Sequence, residues 1–386
     1  MTKVHSTDMR WSWMEVDLGA LRANARAFKE LLGPHVKLMA VVKADAYGHG
    51  AVECVKALHA AGAEQFAVST IEEGIELREA GIPWPILVLS EPPDESVSEL
   101  VRYDIMPSIY TVEFALAYGE CAAAAGKVGR YHLAIDTGMT RIGIDYSEAV
   151  EFRSAIDFHR GLECAGTFTH FATANALESW DFELQYKRFI DAINALDEAG
   201  FDCGIVHCDN TVATILHRDT HIDMCRVGIG LYGLHPDELT KRYIKLEPVM
   251  SVRARITRTA FPAIGTGVGY GLTYRVPRAG IQIATVPMGY ADGLARSLSG
   301  EMDVIVKGRR CHQVGAICMD QFMFAIDTTN PRADRRMAPA QQGDLVTIIG
   351  RDGDEVITVD EMAQLRGTIN YEIVCNFGAR LDKVYV

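Results

Sequence analysis

Residues 37–50 read Lys-Leu-Met-Ala-Val-Val-Lys-Ala-Asp-Ala-Tyr-Gly-His-Gly. The apolar run Leu38–Val42 is short enough for a strand, and Lys43 ends it immediately before a small-residue, glycine-punctuated loop. A lysine there has two readings. It can snorkel to solvent on its aliphatic stem, or it can be a desolvated amine poised for imine chemistry with a carbonyl cofactor. Its neighbours along the chain decide the fold. An amphipathic helix, Leu18–Leu32, precedes the strand, with Leu18, Leu21, Ala25, Phe28 and Leu32 along one side. Further strand-like runs follow at Gln65–Ser69, Ile86–Leu89, Ile105–Ile109, Tyr131–Asp136, Leu162–Thr169, Gly204–His207 and Met224–Val227. Helical patterns such as Ala51–Ala63, Ile71–Ala80, Thr111–Ala125 and Trp180–Ala199 alternate with them. Eight short apolar strands alternating with helices predict an α/β fold, a (β/α)8 TIM barrel. A doubly wound sheet is the competitor, but no Gly-x-Gly-x-x-Gly turn follows an early strand.

From about Glu247 the rhythm changes to β-branched, alternating runs at Ser251–Thr259, Ile281–Val286, Asp303–Lys307, Phe322–Thr328 and Asp344–Ile349. Short helical patterns close the chain near Val359–Gly367 and Ile369–Asn376. A mostly β domain is therefore expected after the barrel, with Leu234–Asp237 marking the boundary. The division expected is residues 1–16 as a strand joining the β domain, 17–240 as the barrel, and 241–386 as the mostly β domain. A chain of 386 residues accommodates two such cores.

A net charge of −13 argues against nucleic acid and anionic membrane as partners. No segment has the length and apolarity of a membrane span, and the first residues lack a secretory signal, so a cytoplasmic protein is expected. Nine cysteines without framework spacing fit a reducing compartment. His207 and Cys208, with Cys203 and Cys225 nearby, invite a metal reading; lacking Cys-x-x-Cys or His-x3-His spacing, they read as buried strand residues and no metal is expected.

Barrel enzymes carry their chemistry on loops at the carboxyl ends of the strands. Lys43, Arg141, His170, Asn210 with Thr211, and Arg226 all fall there. Thr211 is a candidate N-cap, and Gly228 permits close backbone approach, features suited to a phosphate but equally to a cap and a turn. With a strand-end lysine they suggest pyridoxal 5′-phosphate. In the second half, Gly265-Thr-Gly-Val-Gly-Tyr-Gly271 presents Tyr270 between glycines, either as a hairpin or as a phenol on a tight loop.

Taken in order, several motifs resemble alanine racemase over nearly the whole chain, from Glu15 to Arg380. They are Val-Val-Lys-Ala-Asp-Ala-Tyr-Gly-His-Gly, Asp-Thr-Gly-Met-x-Arg, Thr-His-Phe-Ala, Arg-x-Gly-Ile, Gly-Tyr-Gly-x-Thr, Gly-Tyr-Ala-Asp-Gly, Cys-Met-Asp-Gln and Thr-Ile-Asn-Tyr-Glu-Ile. The resemblance implies a barrel plus β domain, pyridoxal phosphate, and a head-to-tail homodimer in which each site borrows from the partner's β domain. It implies interconversion of L- and D-alanine, supplying D-alanine for peptidoglycan. Lys43 would carry the cofactor and act as one base, and Tyr270 of the other subunit as the opposing base. His170 and Arg226 would help the phenol act as a base, with Arg226 also facing the pyridine nitrogen. Arg141 would hold the cofactor's phenolic oxygen and, with the Met319 backbone of the other subunit, the substrate carboxylate. Tyr47, Thr211, Gly228, Ile229 and Tyr371 would bind the phosphate. His170 and Asn210 would complete the cofactor site, and Tyr290 the substrate site.

Three positions depart from the pattern. Ala134 stands where the family often has a carbamate-modified lysine, so a chloride or water network is expected beside Arg141. Asn175 and Ala316 replace an aspartate and an arginine that line the family's substrate entrance, which opens the way to another small amino acid such as serine. Basic amino-acid decarboxylases share this barrel and cofactor, but the barrel half lacks their glycine-rich phosphate loop. A non-catalytic cofactor-binding protein would need neither Tyr270 nor a β domain.

Overall fold

The structure, a computed structural model, describes residues 10–175, 179–330, 337–378 and 380–386. The chain divides into two compact units, one of residues 19–247 and one formed by both ends of the chain, up to Leu18 and from Pro248 onward. Residues 1–9 of the expected amino-terminal strand segment lie outside the described residues.

In the central unit the strands are β2 (Lys37–Val41), β3 (Gln65–Val68), β4 (Ile86–Val88), β5 (Met106–Ile109), β6 (Gly129–Asp136), β8 (Leu162–Phe168), β9 (Ile205–His207) and β10 (Met224–Val227), with β1 and β7 given below. They hydrogen-bond in parallel in the order β10-β2-β3-β4-β5-β6-β8-β9. The short β7 (Ile144–Asp145) pairs with β6. Between the two end strands of that order, Asp223 N–H donates to Val206 O at 3.1 Å and Arg226 N–H to Asp209 O at 3.0 Å. The Asp223 carboxylate accepts from Val206 N–H at 2.8 Å, standing in for a missing ladder bond. The expected (β/α)8 barrel is present, nearly closed. Helices cover parallel strands from outside, which is why most of the strands read as short, largely apolar runs rather than alternating ones. Helix Leu18–Leu32 forms over the residues its periodicity predicts, burying Leu21, Ala25, Phe28 and Leu32.

The terminal unit is mostly β. β1 (Ser12–Val16) lies between β11 (Met250–Arg255), antiparallel to it, and β21 (Asp382–Tyr385), parallel to it. The sheet also holds β12 (Arg258–Ala260), β15 (Ile281–Val286), β16 (Asp303–Val306), β17 (Arg309–Val314), β18 (Phe322–Asp327), β19 (Leu345–Asp352) and β20 (Glu355–Ile357). β13 (Gly267–Val268) and β14 (Tyr274–Arg275) form a separate hairpin. The run expected as one strand over Ser251–Thr259 is two strands. After β11 the chain leaves β1 and β19, and Thr257 N–H bonds to Thr285 O at 2.9 Å, so β12 joins β15 instead. Among the described residues no helix is long and apolar enough to cross a membrane.

Candidate active site

Lys43 follows β2 and opens a turn wound the wrong way. Ala44, Asp45, Ala46 and Tyr47 have φ of 51°, 53°, 55° and 53°, a left-handed helical turn of non-glycine residues, ended by Gly48 and Gly50 at φ 83° and 94°. Each such residue costs roughly 1–2 kcal/mol. The turn is held by specific bonds. Glu73 accepts from Ala44 N–H at 2.7 Å with one oxygen and from Ser69 N–H at 2.7 Å with the other. Asp45 accepts from Ala51 N–H at 2.7 Å, and His49 Nδ1 lies 3.0 Å from both Ala46 O and Tyr47 O. Neither Glu73 nor the reversed winding was anticipated, because Ala-Asp-Ala carries no glycine to announce positive φ.

The turn delivers Tyr47 beside Gly228 at the end of β10. A Cβ added at Gly228 would fall 2.4 Å from Tyr47 Oη. The Tyr47 ring packs on Tyr232 with centroids 5.0 Å apart, and Tyr232 donates to Val41 O at 3.0 Å. Thr211 Oγ1 accepts from Gly228 N–H at 2.9 Å. Thr211 is not the helix cap expected of it. Asn210 caps instead, its Oδ1 accepting from Val212 and Ala213 N–H at 3.1 Å each, which leaves the Thr211 hydroxyl turned to Gly228. Asn210 also donates to Phe171 O at 3.2 Å. Ile229 begins the next turn and is buried. Tyr47, Thr211, Gly228 and Ile229 thus meet at the carboxyl ends of β9, β10 and β2, forming a cradle that a side chain on Gly228 would fill. A phosphate group fits that chemistry.

Arg226 is 3 % exposed. Its Nη1 donates to His207 Nδ1 at 2.9 Å and to His207 O at 3.2 Å; its Nη2 donates to Thr169 O at 2.7 Å and to Cys208 O at 3.0 Å. His170 Nδ1 lies 3.5 Å from Nη2. Burial pushes the guanidinium down to about 10, still charged at neutral pH, and Cys208 and Asp209 oppose that shift. Phe168 lies under the guanidinium, 5.2 Å from it.

A guanidinium only donates, so geometry dictates the histidine tautomers. His207 Nδ1 accepts from Arg226, so the His207 proton is on Nε2, which donates to His132 Nδ1 at 2.8 Å. His132 then carries its proton on Nε2. Burial, then Arg226, hold His207 well below the usual histidine range, and burial with Arg226 and Arg130 pushes His132 down to about 3. His170 is likewise held well below it by burial, Arg226, Arg141 and Lys43, in that order. All three are neutral at pH 7. The cationic helper pair expected for a phenol is therefore one cation, Arg226, and one neutral imidazole.

Arg141 is exposed and sits on a loop organised by Asp136, whose Oδ1 accepts from Gly138, Met139 and Thr140 N–H at 2.9, 3.0 and 3.1 Å. Ala134, Arg141, Phe168 and His170 line one small cleft. Lys43, Arg141, His170 and Arg226 thus share one end of the barrel, with Asn210 as a capping residue behind them.

His207 is given to Arg226 and Cys208 donates to the Asp209 carboxylate. Asp209, His221 and Cys225 offer ligand-type atoms within 4.8 Å of one another. They are already engaged otherwise: Cys225 Sγ lies 3.4 Å from Asp209 Oδ2, and His221 Nε2 lies 3.0 Å from Thr214 O. They read as a hydrogen-bonded buried carboxylate.

The remaining expected site residues belong to the terminal unit. Tyr270 stands on the Gly269–Gly271 turn, both glycines at positive φ, and is 74 % exposed. Tyr290 and Met319 are exposed on adjoining loops. Tyr371 is partly buried on the helix Asn370–Asn376. Asn175 is exposed on the barrel unit and Ala316 is buried in the terminal unit.

Two family models match, described as the alanine racemase N-terminal domain over residues 16–236 and the alanine racemase C-terminal domain over residues 249–385. The chain is 40 % identical to an alanine racemase of Synechocystis sp. over 377 residues, covering 97 % of this chain and 99 % of that one. A solved alanine racemase from Clostridium difficile superposes with a TM-score of 0.91 at 37 % identity, over 97 % of this chain and 96 % of that chain. One from Bacillus anthracis with bound L-Ala-P does so at 0.89 and 36 %, over 98 % and 95 %.

Proposed function

The chain belongs to the alanine racemase family, and from that premise we propose that it interconverts L- and D-alanine with pyridoxal 5′-phosphate, in a homodimer whose sites draw on both subunits. Bound pyridoxal phosphate supplies an aldehyde that joins amines and a ring that withdraws electrons, so the α-hydrogen of the joined amino acid becomes acidic. Tyr47, Thr211, Gly228 and Ile229 hold its phosphate, with Tyr371, and Lys43 holds its other end. Arg141 orients the substrate carboxylate with its planar fork, aided by the partner's Met319 and by Tyr290.

Inversion at carbon requires two proton carriers on opposite faces. Lys43 Nζ serves one face, and Oη of the partner's Tyr270 the other. Whichever is unprotonated removes the α-hydrogen, and the other returns one from behind. Each positioned transfer contributes about 10²–10⁴-fold. A phenol with a usual pKa near 10 needs help to act as a base. His170 supplies it as a neutral donor: its Nδ1 faces Arg226 Nη2, so Nε2–H is the atom left to stabilise a phenolate, with the Arg226 charge behind it. Arg226 stays protonated throughout, so it presents a donor, never an acceptor, to the cofactor ring.

The observation that carries this reading is the buried Arg226 guanidinium, its two Nη atoms engaged by His207, Thr169 and Cys208 and facing His170 at the barrel end where Lys43 sits. In this role the protein supplies D-alanine for peptidoglycan in the cytoplasm. The absent charges at Asn175 and Ala316 favour testing serine beside alanine. The protein is incubated with pyridoxal phosphate and each L-amino acid in deuterated water. Chiral chromatography, α-deuterium content and released CO2 are then followed. D-alanine carrying α-deuterium is expected, abolished by Lys43→Ala and strongly slowed by Tyr270→Phe. CO2 release without D-alanine refutes the reading in favour of a decarboxylase.

A further inference from the structure

Tyr290 and Met319 stand on two loops that touch through their backbones. Tyr290 N–H donates to Cys318 O and Ala291 N–H to Met319 O, each at 3.0 Å. A Cβ on Gly289 would lie 2.2 Å from Cys318 O and 2.4 Å from Met319 O, so only glycine allows this approach. At the end of the first loop, the Asp292 side chain has no solvent exposure. Its Oδ2 accepts from Gly289 N–H at 2.8 Å, closing the turn that carries Tyr290.

A buried carboxylate has to be paired. Asp292 Oδ1 meets Arg10 Nη2 at 2.7 Å and Arg380 Nε at 3.4 Å, two arginines from opposite ends of the chain. Arg10 also donates to Arg380 O at 3.0 Å and to Pro287 O at 3.3 Å. Arg380 then reaches across with Nη2 to Asp320 Oδ1 at 2.7 Å, one residue beyond Met319. The charges alternate along one line: Arg10, Asp292, Arg380, Asp320. Its first link is sealed on the Asp292 side; its last is open, with the Arg380 and Asp320 side chains 45 % and 58 % exposed.

We propose that this chain of charges, and Arg380 above all, is a positioning device that fixes the Tyr290 loop against the Met319 loop and so sets substrate affinity. It rests on the reading that Tyr290 and Met319 bind the amino-acid substrate. The four charged residues bond to one another and to the backbone of the two loops, so the device acts on substrate binding and leaves proton transfer by Lys43 and Tyr270 alone. Because the Arg380–Asp320 link is exposed, it is the part that salt screens.

The test uses the holoenzyme and compares Asp320→Asn, Arg380→Gln and Arg380→Lys. Asp320→Asn raises the KM for alanine about two- to fivefold, the range one exposed ion pair supports, with kcat unchanged. Arg380→Gln raises KM further, Arg380→Lys restores much of it, and adding Asp320→Asn to Arg380→Gln adds nothing. Raising salt increases the wild-type KM but not that of Asp320→Asn. KM values equal to wild type in both Asp320→Asn and Arg380→Gln overturn the proposal. So does a loss confined to kcat or to melting temperature. A wild-type protein that does not racemise alanine refutes the functional reading instead, and equilibrium binding of the amino acid to the same variants then decides the positioning role separately.

Discussion

Substituting Gly228 by alanine tests the phosphate cradle at its tightest point. The new Cβ would stand 2.4 Å from Tyr47 Oη and 3.2 Å from its ring carbon, where ordinary contact begins near 3.4 Å. Tyr47 cannot retreat cheaply. Its ring packs on Tyr232, and its backbone is the last residue of the left-handed turn, with its carbonyl against His49 Nδ1. Gly228 itself has a φ of −112°, outside the left-handed region, so the penalty is one of crowding. Overpacking of this kind costs about 1–3 kcal/mol, or roughly 5- to 150-fold in affinity. Titrating the apoprotein with pyridoxal phosphate and following cofactor absorbance measures it. Tyr47→Phe removes the atom in closest conflict. In a double-mutant cycle the two changes should therefore couple, Gly228→Ala costing less in the Tyr47→Phe background by about 0.5–1.5 kcal/mol. Strict additivity, or an unchanged affinity in Gly228→Ala, would refute the cradle.

The buried histidines should make the barrel acid-sensitive. His132 is held at about 3 in the fold against about 6.5 when unfolded, so below pH 6.5 the unfolded chain binds the extra proton, and stability present above that value is lost as pH falls. Between pH 7 and 5 this one group removes about 2 kcal/mol, with His170 and His207 acting in the same direction. Urea unfolding of the apoprotein at both pH values should show His132→Leu losing about 2 kcal/mol less than wild type; equal losses would contradict a His132 held neutral in the fold. Glu73→Ala should loosen the turn after Lys43 by removing a charged acceptor worth about 1.5–3 kcal/mol from Ala44 and Ser69 N–H. Slower capture of pyridoxal phosphate by Lys43, timed in stopped flow, is the expected sign, and an unaltered rate would place the bracing elsewhere.

What the sequence made legible follows from which interactions are local. The barrel strands are visible because most are buried on both faces and so largely apolar, as in Leu38–Val42. The strand Arg309–Val314 escaped because four of its six residues, Arg-Arg-Cys-His-Gln-Val, are polar or charged and carry little hydrophobic signal. The helix Val97–Tyr103 escaped because two turns are too few to establish a period. At the site, strand-end position made Lys43, His170 and Arg226 candidates together, each being weak by itself, and the ordered motifs suggested their roles. His207 and His132 were not legible as partners of Arg226, since β6, β9 and β10 meet only in the closed barrel. His207 was noticed only with its cysteine neighbour, as a buried strand residue, a reading that carries no hint of Arg226. Asp136 and Glu73 look like ordinary surface acids until the backbone N–H groups they accept from are seen. Arg10 and Asp292 are 282 residues apart, beyond any local pattern.

The left-handed turn deserves a physical reason, because four residues at roughly 1–2 kcal/mol each amount to a sizeable part of a stability that is usually about 5–15 kcal/mol. Strain of that size persists only where the surroundings over-determine it. Glu73 and His49 bond the backbone between Lys43 and Tyr47, and the Asp45 side chain ties that segment to Ala51 N–H. A right-handed turn would need no such bracing and would carry the chain on a different course. Winding the other way folds the chain back, so that the phenol of Tyr47 comes to Gly228 on β10, the strand that neighbours β2. One rigid turn thereby fixes the amine of Lys43 relative to the phosphate cradle. For a ligand held at two ends, that spacing decides whether both ends can be held at once.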